Sequence, residues 1–415
     1  MKPLPTTYEA ITAFTQAPID ARLKRNLAQT QLVTPTPIQA RTIRPALQGR
    51  DIFGTAQTGT GKTLAFVLPI LQRLMQAQGR GIEALILVPT RELALQALET
   101  MSSIGKDTGI SAVPVVGGLS ESRQLEAIRR GARVAIATPG RLNDYLKRGL
   151  VNIGSVRVVV LDEADRMLDM GFLPQVRTIM QRLPKERQTM CFSATLSSAV
   201  ETLIRESLSD PVRVAIGSTA TPAALVRLTA YKVTLEQKYP MLLRLLEQEP
   251  GTFLVFTRTK YGADKLFRKL TRSGHNAAVL HGNKTQSQRV RALEGFKAGA
   301  HRVLVATDIA ARGIHVHGIA HVVNFDMPAA AEDFIHRVGR TGRVAQTGVA
   351  TTFVTAQEAR EIVAIERILG KTIERLTPPG DLPVEPVAPR EYPPVRPSRR
   401  PLDRSVRTAR RSRYR

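Results

Sequence analysis

The chain has no tryptophan, and aromatic residues make up only 5% of its 415 positions. So few flat rings leave little material for any binding that depends mainly on stacking. There is one cysteine, Cys191, which excludes an intrachain disulfide. It lies in the apolar stretch Thr189-Met190-Cys191-Phe192 and reads as a core residue. No apolar run approaches the length of a membrane span. The opening Met1-Lys2-Pro3-Leu4-Pro5 lacks a secretory apolar stretch, so a soluble cytoplasmic protein, with no membrane partner, is the expectation. Acids are the other shortage: 35 Asp and Glu stand against 60 Lys and Arg, a formal net charge of +25. Such a surplus points to a polyanionic partner. The segment from Leu376 to Arg415 holds ten arginines and four acids, so most of the surplus belongs to the body of the chain.

What is present is enough for real cores: 43% of the residues are hydrophobic, over a length that suits two or three domains. Apolar, β-rich runs alternate with helical segments twice. The first series includes 84–88, 112–116, 134–137, 156–161 and 189–192; the second includes 252–256, 277–280, 302–306, 321–324 and 349–354. Runs of this kind separated by helices predict parallel sheets covered on both faces. The fold class expected is therefore α/β, with one domain over 1–216, a linker over 217–224 and a second domain over 225–370. After Thr377, proline recurs nine times without apolar periodicity, so 371–415 reads as a Pro/Arg-rich disordered tail.

Two short signatures carry the chemistry. Ala56-Gln57-Thr58-Gly59-Thr60-Gly61-Lys62-Thr63 is a glycine-rich turn between a short buried run, Asp51-Ile52-Phe53-Gly54, and a helical segment starting at Leu64. Such a turn offers backbone N–H groups to a polyphosphate, a lysine to its outer phosphates and a hydroxyl to Mg²⁺. Its first glycine is replaced by Ala56, so the strand-loop-helix setting has to support the match. Asp162-Glu163-Ala164-Asp165 ends the run Val158-Val159-Val160-Leu161 and puts carboxylates where that Mg²⁺ and an attacking water would sit. Together they imply hydrolysis of a nucleoside triphosphate.

Further segments fall into order around these two. They are Thr34-Pro35-Thr36-Pro37-Ile38-Gln39, Pro89-Thr90-Arg91-Glu92-Leu93-Ala94, Gly117-Gly118, Thr138-Pro139-Gly140-Arg141 and Ser193-Ala194-Thr195. In the second series come His281-Gly282, Gln286 with Arg289, Ala306-Thr307-Asp308-Ile309-Ala310-Ala311-Arg312-Gly313 and His336-Arg337-Val338-Gly339-Arg340-Thr341-Gly342-Arg343. In this order, over roughly residues 14 to 370, the chain resembles the DEAD-box RNA helicases. The stretch from His281 to Gln286 and the short basic tail look most like the bacterial RhlE-type members.

The resemblance implies two tandem RecA-like domains and an ATP-dependent RNA helicase that hydrolyses ATP with Mg²⁺. It would bind single strands and short duplexes of RNA without reading sequence, unwinding them locally or remodelling RNA–protein complexes. It implies that Gln39 reads adenine, beside Phe14, Leu32 and Pro37, and that Gln57 to Thr63 hold phosphates. Thr63 and Asp162 would hold Mg²⁺. Glu163 would orient the attacking water, with Lys62, Arg340 and Arg343 on the phosphates as the other catalytic groups. Asp165, Ser193, Thr195, Asp308 and His336 would couple the ATP state to the RNA state. Arg91, Gly118, Gly140, Arg141, Gly282, Gln286, Arg289 and Thr307 would touch RNA, where N–H groups and hydroxyls suit phosphates without reading bases. The expected working form is a monomer, with ribosomal or messenger-decay complexes as its setting.

Two positions depart from the family pattern. Leu32 stands where an aromatic usually stacks on adenine, and in the nucleotide-binding stretch Gly313-Ile314-His315 the histidine stands where an aspartate usually binds the ribose. Weaker nucleotide affinity is the expectation. These two residues are also the only support for an alternative, a slow or non-hydrolysing ATP-gated RNA clamp. A DNA helicase is disfavoured by the Asp-Glu-Ala-Asp and Pro-Thr-Pro-Ile-Gln segments.

Overall fold

The computed structural model describes residues 9–56, 60–77, 79–216, 226–311, 318–328, 330–341 and 348–383. The first half contains strands β1 (Ile52–Thr55), β2 (Ala84–Leu87), β3 (Ala112–Val115), β4 (Val134–Ala137), β5 (Val158–Leu161), β6 (Gln188–Ser193) and β7 (Val212–Ala215). They form one sheet in the order β3-β4-β2-β5-β6-β1-β7. The second half contains β8 (Val226–Lys232), β9 (Thr252–Phe256), β10 (Ala277–Leu280), β11 (Val303–Ala306), β12 (Ile319–Asn324), β13 (Gly348–Val354) and β14 (Glu374–Leu376), in the order β10-β11-β9-β12-β13-β8-β14. Neighbouring strands within each sheet pair in parallel.

Parallel sheets bury both faces, and the alternation along β9 shows it. Leu254 and Phe256 enter one core cluster with Leu304, Phe334 and Ile362; Phe253 and Val255 enter another with Leu266 and Val305. The first sheet is sandwiched in the same way, with Phe66, Ile70 and Phe192 on one side and Leu142, Met167 and Ile179 on the other. Pro114 interrupts β3 without harm because β3 is an edge strand. Cys191 is fully buried in β6, and burial pushes its thiol far above the usual range. Among the described residues, no helix is long and apolar enough to cross a membrane.

The second half runs beyond the expected end at residue 370. Strand β14 adds to the edge at β8, Ile373 is buried in one core cluster, and Leu382 packs against Val233, Tyr239 and Leu242 in another. The physical reason is an open edge: β8 would otherwise leave a row of backbone groups unpaired. The rest of the expected tail, from 384, and the expected linker, 217–224, lie outside the described residues.

Because all strands point the same way, their carboxyl ends share one rim in each half. Loops at that rim are where such sheets carry ligand-binding residues. The motifs identified in the sequence follow β1, β2, β3, β4, β5 and β6 in the first half, and β10, β11 and β12 in the second.

Candidate nucleotide and nucleic-acid site

The phosphate loop leaves β1 at Ala56 and ends at Gly61, just before the helix Lys62–Gln76. Gly61 has φ 88°, in the left-handed region, and a Cβ there would lie 2.3 Å from Nε2 of Gln39. Only glycine satisfies both conditions. Gln39 is tied into the same corner: its Nε2 donates to Gly61 O at 2.9 Å, and its Oε1 accepts from Thr36 N at 2.8 Å. The second bond is half of a capping box that starts the helix Pro37–Leu47. Lys62 is buried, and its Nζ donates to Ala56 O at 2.8 Å, folding its charge back over the loop. Gln57, Thr58 and Gly59 lie outside the described residues.

Facing this loop, β5 delivers a buried carboxylate cluster. Burial pushes Asp162 up to about 7; Lys62 pulls against this, while Glu163 and Asp165 add to it. Glu163 has a left-handed backbone, φ 53° and ψ 51°, and its Oε2 accepts from Arg166 Nη1 at 2.6 Å. Asp165 is the hub. Its Oδ2 accepts from Ala194 N at 3.0 Å, Thr195 N at 2.9 Å and Thr195 Oγ1 at 3.0 Å, so the Ser193-Ala194-Thr195 segment after β6 is folded onto it. Ser193 Oγ donates to Thr195 O at 2.7 Å and tightens that turn. Burial alone would raise Asp165, but Lys62, His336 of the other half and Arg166 together hold it below the usual carboxylate range. The pull of His336 means that the two halves face each other at this point.

A cleft of about 490 Å³ lies between the halves farther along the rim. The first half lines it with Thr90, Arg91, Gly140 and Arg141, the second with Gly282 and Arg289. Gly118 lies against Arg91: it has φ 79°, and a Cβ would come within 2.0 Å of Arg91 Nη1. Arg141 sits over the Tyr145 ring, 5.2 Å from its centroid, and donates to Glu121 at 3.1 Å. Glu92 crosses the cleft, accepting from Arg289 Nε at 2.8 Å and from Gln286 Nε2 at 3.3 Å. Exposed backbone and basic side chains on one surface make a fitting seat for a phosphate backbone.

Comparison with known proteins decides what kind of site this is. Residues 36–203 match the DEAD/DEAH box helicase family model, and residues 237–345 match the helicase conserved C-terminal domain. The chain is 39% identical over 370 residues to the DEAD-box ATP-dependent RNA helicase CshA of Geobacillus kaustophilus, covering 89% of this chain and 79% of that one. It is 39% identical over 345 residues to the CshA of Bacillus subtilis, covering 83% and 70%. The chain belongs to the DEAD-box ATP-dependent RNA helicases. These matches establish the family without singling out the RhlE-type members.

Solved structures of DEAD-box proteins share this fold across both halves. Saccharomyces cerevisiae Dbp5 bound to RNA and ADP BeF3 superposes with a TM-score of 0.79 at 30% identity, covering 88% of this chain and 96% of that chain. A DEAD box protein from Methanococcus jannaschii reaches 0.52 at 31% identity, covering 88% and 99%.

Within this DEAD-box helicase the sequence expectations divide. Lys62, Asp162, Glu163, Asp165, Ser193 and Thr195 gather at the first rim, and Arg91, Gly140, Arg141, Gly282 and Arg289 line the cleft. Gly118, Gln286 and Thr307 do not line it; Gln286 turns to Glu92, and Thr307 is almost buried after β11. Gly313, His315 and Arg343 lie outside the described residues. Leu32 is exposed, but Phe14 is only 3% exposed and packs in the first core, with its N–H on Val33 O. The ring therefore backs the segment that carries Leu32, because an apolar side chain gains more from the core than from a wet rim. Asp308 is bound by Arg337 at 2.5 and 2.7 Å, within its own half. The sequence reading missed three charged residues: Glu92, Arg166 and Arg337. Each sits inside a recognised motif or directly beside one, where an extra charge reads as a solvated neighbour.

Proposed function

We propose that the nucleotide of this ATP-hydrolysing RNA helicase is bound at the rim of β1 and β5, with RNA in the cleft lined by Arg91, Arg141 and Gly282. The observation that carries this reading is the ion pair of Glu92 with Arg289, 2.8 Å across the cleft, since it joins the two halves on the rim that carries both sets of motifs. In this reading Gln39 offers adenine its remaining donor and acceptor, and Leu32 covers one face of the base. Lys62 exchanges the Ala56 carbonyl for phosphate oxygens. Glu163 orients water and accepts its proton. Arg340, whose Nε donates to His336 O at 3.3 Å, approaches from the second half together with Arg343.

Mg²⁺ fits the donors present. The Thr63 hydroxyl and the Asp162 carboxylate are hard oxygen ligands, and among the described residues the buried Asp162 makes no ion pair, which leaves room for a cation. Among the described residues, no group of three or more His, Cys, Asp or Glu could hold a metal by itself, so phosphates would supply the remaining ligands. When bound, the cation neutralises charge on the phosphates.

Each half carries part of the ATP site and part of the RNA site. Only the closed arrangement completes either, so the two ligands favour the same state. One chain contains both halves, which makes a monomer sufficient. The test is turnover with and without RNA. Lys62→Ala should abolish hydrolysis. Glu163→Gln should retain ATP and RNA while slowing hydrolysis by at least ~10²-fold, the low end for a general base. Wild-type turnover in either variant contradicts the assignment.

A further inference from the structure

A base works only as well as its carboxylate is aimed. The Glu163 backbone is left-handed, a conformation that a non-glycine residue keeps only when its surroundings hold it. What holds its side chain is Arg166, three residues on, in the first turn of the helix Ala164–Asp169. Arg166 Nη1 lies 2.6 Å from Glu163 Oε2, and the two side chains are 1% and 4% exposed. Exposed pairs at this spacing contribute little, because water competes for both charges. This pair is out of water.

Two further facts set Arg166 apart from a packing residue. Its Nη2 is buried with no hydrogen-bond partner among the described residues, a costly state for a guanidinium. The cluster also holds three carboxylates, Asp162, Glu163 and Asp165, with Lys62 as the nearby cation from the phosphate loop. Without Arg166, the charges of Asp162 and Asp165 would push the Glu163 carboxylate away. Among the described residues, Glu163 Oε1 has no hydrogen bond.

We propose that Arg166 is a positioning residue for hydrolysis: it fixes one oxygen of Glu163 and leaves the other to orient the attacking water. This inference rests on the assignment of Glu163 as the base. The experiment is RNA-stimulated ATP turnover by the full chain carrying Arg166→Met, Arg166→Lys, Glu163→Gln and the double change, with thermal unfolding recorded for each.

Arg166→Met should lower kcat roughly 10- to 100-fold, the range seen when the partner of a functional group is removed. The KM for ATP should stay within about twofold, because nucleotide binding does not use this pair. Arg166→Lys should recover part of kcat, since it restores the cation but not the planar fork. It also preserves the test if the Met variant does not fold. In the Glu163→Gln background, either Arg166 change should cost nothing more, because the effect runs through the carboxylate.

Wild-type kcat in both Arg166 variants overturns the inference, and so does a loss that multiplies with Glu163→Gln. A rise in turnover without RNA also overturns it, because Arg166 would then restrain the base. If Glu163→Gln itself keeps full turnover, both assignments fall. If Glu163→Gln loses turnover while Arg166→Met keeps it, only the role of Arg166 falls.

Discussion

Asp165 and Asp308 stand at comparable places, each just past an inner strand of its own sheet, and the two halves use them differently. Asp165 gathers neutral donors: two backbone N–H groups and a hydroxyl from Ala194 and Thr195. Asp308 takes a two-pronged bond from Arg337, whose side chain is fully buried and which also reaches Asn324 Oδ1 and Asp326 O. Separate hydrogen bonds from neutral donors to a carboxylate contribute about 1.5–3 kcal/mol each, and because each can be replaced singly a segment held by them can let go and re-form. A buried guanidinium bound to a carboxylate and two other oxygens has no comparable alternative. The first hub suits a part that changes state when the halves meet; the second suits a fixed anchor that presents His336 and Arg340.

Breaking the anchor should give the largest effect. Arg337→Met should destabilise the second half by about 3–5 kcal/mol, because it leaves Asp308 without its cation and Asn324 unsatisfied. Chemical denaturation of the full chain would show this as an earlier transition. Unchanged unfolding would mean that the anchor contributes nothing.

Mild acid should separate the halves in sign. His321, buried in β12 with its ring stacked on Phe253 and Nε2 2.8 Å from Thr351 Oγ1, is pushed down to about 4 by burial. Its folded form resists a proton that the unfolded chain accepts near 6.5, so stability is lost as pH falls from about 6.5 to about 4. The loss should reach roughly 3 kcal/mol. Asp162 is shifted upward, so between its unfolded value and about 7 the folded first half binds the extra proton and gains stability in the same acid window. Denaturation of the nucleotide-free protein at pH 7.5 and 5 should show the second half weakening relative to the first. His321→Asn should remove its share of the slope.

Thr195→Ala sharpens the comparison from the other side. It deletes one of the three donors to Asp165 and should cost about 1.5–3 kcal/mol of stability, less than the loss of the Arg337 anchor. Unwinding of a short duplex should fall more than ATP turnover, the outcome that a coupling role for this segment requires. Equal losses would place Thr195 in the chemistry itself. Glu92→Gln should be the mildest. It keeps an acceptor for Arg289 but turns a charge-to-charge bond, largely out of water, into one to a neutral amide, weakening the ATP–RNA coupling by about 1 kcal/mol. A charge exchange between Glu92 and Arg289 should restore part of the coupling.

Much of this molecule was legible in its sequence because its strands are buried on both faces and read as unbroken apolar runs. Val158 to Leu161 and Thr252 to Phe256 are the plainest cases. Three strands escaped notice: β7 and β14, which lie at sheet edges, and β8, which lies between β13 and β14. Val212-Arg213-Val214-Ala215 and Glu374-Arg375-Leu376 bury little, and only their pairing with β1 and β8 makes them strands. Leu382 is buried, but it was lost because it stands alone in a proline-rich context with no apolar periodicity to mark it. In the site, residues at fixed motif spacings were found, whereas the partners Glu92, Arg166 and Arg337 were not. Their roles depend on burial and on contacts between distant parts of the chain, which charge and spacing do not encode.

The central claim is that one closure completes both the nucleotide site and the RNA site. The direct measurement is the affinity of the Glu163→Gln protein for ATP, with and without saturating RNA, paired with its affinity for RNA with and without ATP. The account predicts that each ligand tightens the other by the same factor, on the order of 5- to 150-fold. Affinities that are independent of the second ligand would show that the halves bind separately and would contradict it.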